Sequence, residues 1–166
     1  MVPAAAQPST EGSVSVDTNR IMEFLAKEGF RASLAAPGDI RFKYEGGQYL
    51  IRTAANDDQY LSITFPNFWR IEGPEEEARA LRAANQVTQS IKVGKVYVLE
   101  EYHSAWADVE LLIVQPEQFE ALFPRALDIL KAAAKKFVEL MRASEPLPDK
   151  RVELKREEVT RWMHGN

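Results

Sequence analysis

The chain is 166 residues long, with 45% hydrophobic and 28% charged residues, proportions that suit one globular domain with a core of its own. Its 21 Lys and Arg against 25 Asp and Glu give a net charge of −4 and a pI near 5.3. That balance argues against nucleic-acid binding and against docking on anionic lipid. With no cysteine, disulfides, zinc–thiolate sites and thiol catalysis are excluded.

The opening "MVPAAAQPSTEGSVS" has neither the basic start nor the continuous apolar core of a secretion signal. No apolar run approaches the roughly 18 residues of a membrane span, so a cytoplasmic location is the expectation. Residues 1–16 are small, polar and proline-bearing, and read as a disordered arm. In "DTNRIMEFLAKEGF", Asp17 or Thr18 can cap a helix whose stripe is Ile21, Phe24 and Leu25. Gly29 supplies the left-handed stop, and Phe30 is placed to fold back on Leu25.

The period then changes to two. Ile40, Phe42 and Tyr44 alternate with Arg41, Lys43 and Glu45, the pattern of a half-buried strand. "EGGQ" turns the chain into "QYLIRTA", and "ANDD" turns it into "QYLSITF", so an antiparallel three-strand meander is expected. A short strand at about 31–35 precedes it, and Pro66 is expected to stop the last strand. A second helix starts at Pro74 with Glu75, Glu76 and Glu77 in its first turn, where the helix dipole favours anions. Gly94 breaks that helix. "KVYVLEEY" and "WADVELLIV" form a hairpin around His103 and Ser104.

The last helix runs from Pro116 to about Met141. Phe119, Phe123, Ala126, Leu130, Ala133, Phe137 and Leu140 make a seam for packing along a sheet or another helix. Pro124 is expected to kink or divide it. Residues 142–166 form a charged tail in which Val152, Val159 and Met163 share a helical stripe with Trp162 beside them.

This order of elements is distinctive. Residues 17–141 resemble the YbjN-type family, bacterial proteins named for a suspected role in regulating sensory transduction. The resemblance is carried by "IMEFLAKEGF", "IRFKYEGGQYLI", the helix with Asn near its end before "KVGKVYVLEE", and the long helix opening "QPEQFEALF". It implies an α+β domain sharing the fold of the type III secretion chaperones: helix, three-strand meander, helix, two-strand hairpin, long helix. It also implies a non-enzymatic and often dimeric protein that works through protein contacts. It transfers no catalytic residue.

The residues themselves offer little chemistry. His103 and His164 are the two histidines, too few for a convergent metal set. There is no nucleophile elbow, phosphate loop or dinucleotide loop, and Asp57 and Asp58 fit a hairpin turn. No catalytic residue, metal or cofactor is expected.

Polar residues on apolar stripes pose a sharper question. On a helical wheel Asn85 and Thr88 lie with Ala78, Leu81, Ala84 and Ile91. Burying an amide unpaired costs about 1–3 kcal/mol, so Asn85 either bonds neighbouring backbone or lines a contact surface.

Candidate protein-contact residues are Phe68, Trp69 and Arg70 in "FPNFWRI", with Tyr102 and Trp106 around the hairpin turn, the residue types of contact hot spots. Packing of Phe68 and Trp69 against the core is the competing reading. Trp106, in step with Asp108 and Glu110, is placed on the wetter sheet face. The apolar surface of the long helix motivates a homodimer. The expected function is a regulatory or chaperone-like protein-binding module, with no nucleic-acid or membrane partner. A small-molecule sensor lined by aromatics and Asn85, or a dedicated secretion chaperone, are the alternatives.

Overall fold

The computed structural model describes residues 17–36, 38–54 and 56–144. The expected N-terminal arm and all of the tail beyond Ser144, Trp162 and His164 included, lie outside them. In chain order the elements are α1 (Thr18–Lys27), β1 (Ala32–Ala36), β2 (Asp39–Tyr44), β3 (Gly47–Ala54), β4 (Asp57–Arg70), α2 (Pro74–Ser90), β5 (Gly94–Leu99), β6 (Ser104–Leu112) and α3 (Pro116–Ala143). The six strands form one antiparallel sheet in the order β1-β2-β3-β4-β6-β5. This is the expected α+β architecture, with the short preceding strand present as β1.

Helix ends follow their sequence signals. The Asp17 side chain accepts from the Asn19 amide at 2.9 Å. At the other end of α1, Gly29 adopts φ 83°. The Phe30 amide reaches the Leu25 carbonyl at 2.8 Å, and the Gly29 amide reaches that of Ala26. This double closure needs a left-handed residue, which glycine supplies without strain. Phe30 then packs edge-on against Phe42 and Phe123 at 5.6 and 5.4 Å. At the start of α3, Gln115 and Gln118 form a reciprocal capping box.

The helices share one face of the sheet. Phe119, Phe123, Leu130 and Phe137 of α3 join Phe42, Ile51, Leu61, Ile63 and Val109 in one buried cluster, to which α1 adds Ile21 and Leu25. The α3 seam is therefore consumed largely within the chain. Pro124 is exposed and does not divide α3, which runs unbroken over 28 residues.

Two expectations are corrected. Pro66 does not end β4. The strand continues to Arg70 through a bulge, where four steps from Phe65 to Trp69 match two steps from Ala107 to Ala105. Asn67, inside the bulge, has φ 50°, a conformation asparagine tolerates better than most residues.

The buried stripe of α2 is not the one drawn on the wheel. Ala80, Ala83, Ala84 and Val87 are buried, while Ala78, Leu81 and Asn85 are exposed. Asn85 therefore has no burial cost to offset. The alanines let α2 lie close to its neighbours, and that close approach outweighs the larger apolar area of Leu81.

Candidate functional site

The candidate contact residues gather at one end of the β4–β6 ladder. Arg70 pairs in register with Ser104 and Trp69 with Ala105, so Arg70, Ser104 and Trp106 share the face that carries no described helix. Between β5 and β6, residues Glu100–Tyr102 form one tight helical turn closed by His103 at φ 44°. The His103 carbonyl accepts from the Ile71 amide at 2.8 Å, which ties this turn to the exit of β4.

A relay fixes the centre of the site. Trp106 Nε1 donates to Ser104 Oγ at 3.0 Å, and Ser104 Oγ donates to Asn67 Oδ1 at 2.6 Å. The bulge is thus fastened to the neighbouring strand by a side-chain chain of bonds. Trp106 is 9% exposed, which corrects its placement on an open face. Tyr102 lies 5.5 Å from it ring to ring and is 54% exposed. Arg70 is exposed on the other side of Ser104.

Phe68 and Trp69 point the other way. Phe68 packs edge-on against Phe137 at 5.3 Å and stacks beside Phe65 at 5.6 Å. Trp69 lies 6.1 Å from Phe137 and donates its Nε1 to Glu76 at 2.9 Å. The second oxygen of Glu76 accepts from the Glu72 amide at 2.7 Å. Both rings are half-buried against the core. An open cleft of about 470 Å³ lies between this corner and the start of α2, lined by Arg70, His103, Glu72, Glu77, Gly73 and Pro74.

Of the polar pair on α2, Thr88 has the structural partners. Its hydroxyl accepts from the Val96 amide at 2.8 Å and donates to the Val96 carbonyl at 3.0 Å. Val96 sits on β5, an outer strand of the sheet, and both its groups face away from β6. One threonine thus satisfies two backbone groups on an edge strand, where unpaired groups invite foreign strands.

Sequence reasoning missed the polar centre of the helix-free face. Tyr97 donates to Asp108 at 2.8 Å, while Lys95 and Tyr60 both bind Glu110, at 2.8 and 2.7 Å. Burial, then the Asp108 charge beside it, pushes the Tyr97 hydroxyl pKa well up. The Lys95 ammonium, with help from Tyr60, holds the Glu110 carboxyl below its usual range. Ser62, Thr64 and Asp108 are 4%, 0% and 5% exposed, although strand alternation alone assigns them to solvent.

Among the described residues no three of His, Asp and Glu gather to hold a metal ion, and no helix is long and apolar enough to cross a membrane.

These features define an α+β domain with its described helices on one face of a six-stranded antiparallel sheet. No family model matches the chain, and no curated protein matches its sequence significantly. Among solved structures, the chain is similar to the crystal structure of YbjN, a candidate transcription regulator from E. coli. The two agree with a TM-score of 0.54 at 13% identity, over 82% of this chain and 100% of that one. At such identity the likeness concerns the fold.

Proposed function

We propose that the chain is a non-enzymatic regulatory module that binds a protein segment at the exposed end of the β4–β6 ladder. The observation that carries this reading is the Trp106–Ser104–Asn67 relay. It holds the exposed Tyr102 and Arg70 on a fixed frame, so they are presented without the entropy cost of ordering them on contact. An exposed Tyr and Arg beside a buried Trp have the composition of a binding hot spot. The regulator-like fold of the structural neighbour agrees with this role, and the reading includes a cytoplasmic homodimer. Phe68 and Trp69 support the site from below and do not touch the partner.

The small-molecule reading loses its main support, because Asn85 lies on the exposed side of α2 and does not face the space between helices and sheet. A dedicated secretion chaperone is a narrower form of the protein-binding reading and would show itself by its cargo.

The test is affinity capture from native lysate with the wild-type chain and with Arg70→Ala/Tyr102→Ala. Both substituted side chains are exposed, so the melting temperature should hold while a discrete partner is lost. Identical partners retained by both baits would overturn the assignment of this surface.

A further inference from the structure

The sheet has two outer strands, and the fold treats them differently. At β5 the Thr88 hydroxyl takes up the Val96 amide and carbonyl, and Lys95 adds a charge, both of which discourage foreign strands. At β1 neither protection is present. Its sequence "ASLAA" has no charge and no proline, and Ser33, Leu34 and Ala35 are all exposed. No described strand pairs on its outer side. Leu34 is 65% exposed, although Ile40, its register partner on β2, is fully buried.

The register shows which β1 groups are open. Glu45 and Gly46 form a two-residue turn with positive φ at both positions, which makes Tyr44 and Gly47 a hydrogen-bonded pair. Bonding alternates along an antiparallel ladder, so Ile40 and Phe42 bond to β3 while Arg41 turns its amide and carbonyl to β1. Arg41 faces Ser33 in register. The amides and carbonyls of Ala32 and Leu34 therefore point out from the sheet.

We propose that β1 pairs antiparallel with β1 of a second copy of the chain, about a two-fold axis at Leu34. The strand is self-complementary about that residue. Set opposite its twin, Leu34 donates its amide to the twin's carbonyl and accepts in return, which closes two bonds at once. The two Leu34 side chains then lie side by side on the helix-covered face and extend the apolar row that ends at Ile40. On the other face Ser33 comes opposite Ala35, with no like charges to repel. Any foreign strand could use the same backbone groups, but a second copy brings a matching leucine into register by symmetry alone. This inference rests on the homodimer of the proposed function and gives it an interface, one that leaves Arg70 and Tyr102 free. A five-residue ladder buries little area, so the dimer dissociates on dilution.

The absence of cysteine makes a site-specific test available in the full chain. Opposed residues of a hydrogen-bonded pair have Cα atoms about 5.5 Å apart, within disulfide range. Leu34→Cys should therefore form a covalent dimer under mild oxidation, while Leu81→Cys, also exposed but on α2, should not. Leu34→Lys sets two ammonium groups together and should weaken dimerisation roughly tenfold or more by light scattering, with an unchanged circular dichroism spectrum. A wild-type dimer that Leu34→Lys leaves intact and Leu34→Cys fails to cross-link would overturn the β1 contact while the homodimer stands. A particle of 18.8 kDa at every concentration would overturn both. In that monomer, slow amide exchange at Ala32 and Leu34 would assign the edge to another segment of the same chain, and fast exchange would leave it to a different protein.

Discussion

Tyr97 shows what a single side chain on the helix-free face contributes. Its hydroxyl is held 2.8 Å from Asp108, and burial followed by that carboxylate keeps it protonated to higher pH than a free tyrosine. The sign follows from linkage. Below an unfolded tyrosine pKa of about 10, both states keep the proton and nothing is lost. Above it the unfolded chain releases its proton while the fold retains it, so stability falls until the folded pKa is reached. Melting curves between pH 9 and pH 12 should show a steeper loss for wild type than for Tyr97→Phe. Tyr44, Tyr49 and Tyr60 are raised too, so the variant removes only part of the slope, and equal slopes would contradict this assignment. None of this was legible from alternation, which put Asp108 and Thr64 in water. Alternation reports which face a residue takes, not whether its neighbours shut that face.

At the scale of elements, the join between α2 and β5 depends on Thr88. Replacing it with Val leaves the Val96 amide and carbonyl without partners, at a cost of about 1–3 kcal/mol. Thr88→Ser keeps the hydroxyl and should recover most of that loss. Asn85→Ala removes an exposed side chain and should stay within about 0.5 kcal/mol of wild type. Urea unfolding of the three variants checks the order; a destabilised Asn85→Ala beside a neutral Thr88→Val would reverse the roles of the two side chains.

The sequence located this helix correctly but misread its face. The wheel followed Leu81 and Ile91 because they are large, whereas close packing selected the alanines at 80, 83 and 84. In α3 the large residues are themselves the buried ones, so the seam read from sequence and the seam observed nearly coincide. The β4 bulge is intermediate: "FPNFW" announced an irregularity at Pro66, but not that pairing would resume beyond it. Resumption depends on Ala105 and Ser104 arriving from a strand some 35 residues later, a contact that local pattern does not contain.

For the molecule as a whole, element order together with stretches such as "IMEFLAKEGF" and "KVGKVYVLEE" was enough to recognise the YbjN-type fold, because each helix and strand carries its own boundary signals. The proposed contact surface was legible only in part. Tyr102 and Arg70 are exposed as a binding role requires, but Phe68 and Trp69 are turned inward by the bulge. The homodimer is a separate proposal at this scale. With the α3 seam covered by the sheet, the remaining large exposed apolar groups include Leu34, Leu81, Leu112 and Val114, which are spread over several elements. Light scattering at high concentration should give twice the 18.8 kDa chain mass; a particle of 18.8 kDa throughout would exclude the dimer.

The claim that matters most is that partners meet the protein at the β4–β6 end. Hydrogen exchange of the chain alone and with its captured partner tests it directly. Slowed exchange concentrated in residues 67–72 and 100–106 is the predicted result. Protection confined to α1 and α3, with the β4–β6 end exchanging as it does in the free chain, would contradict it.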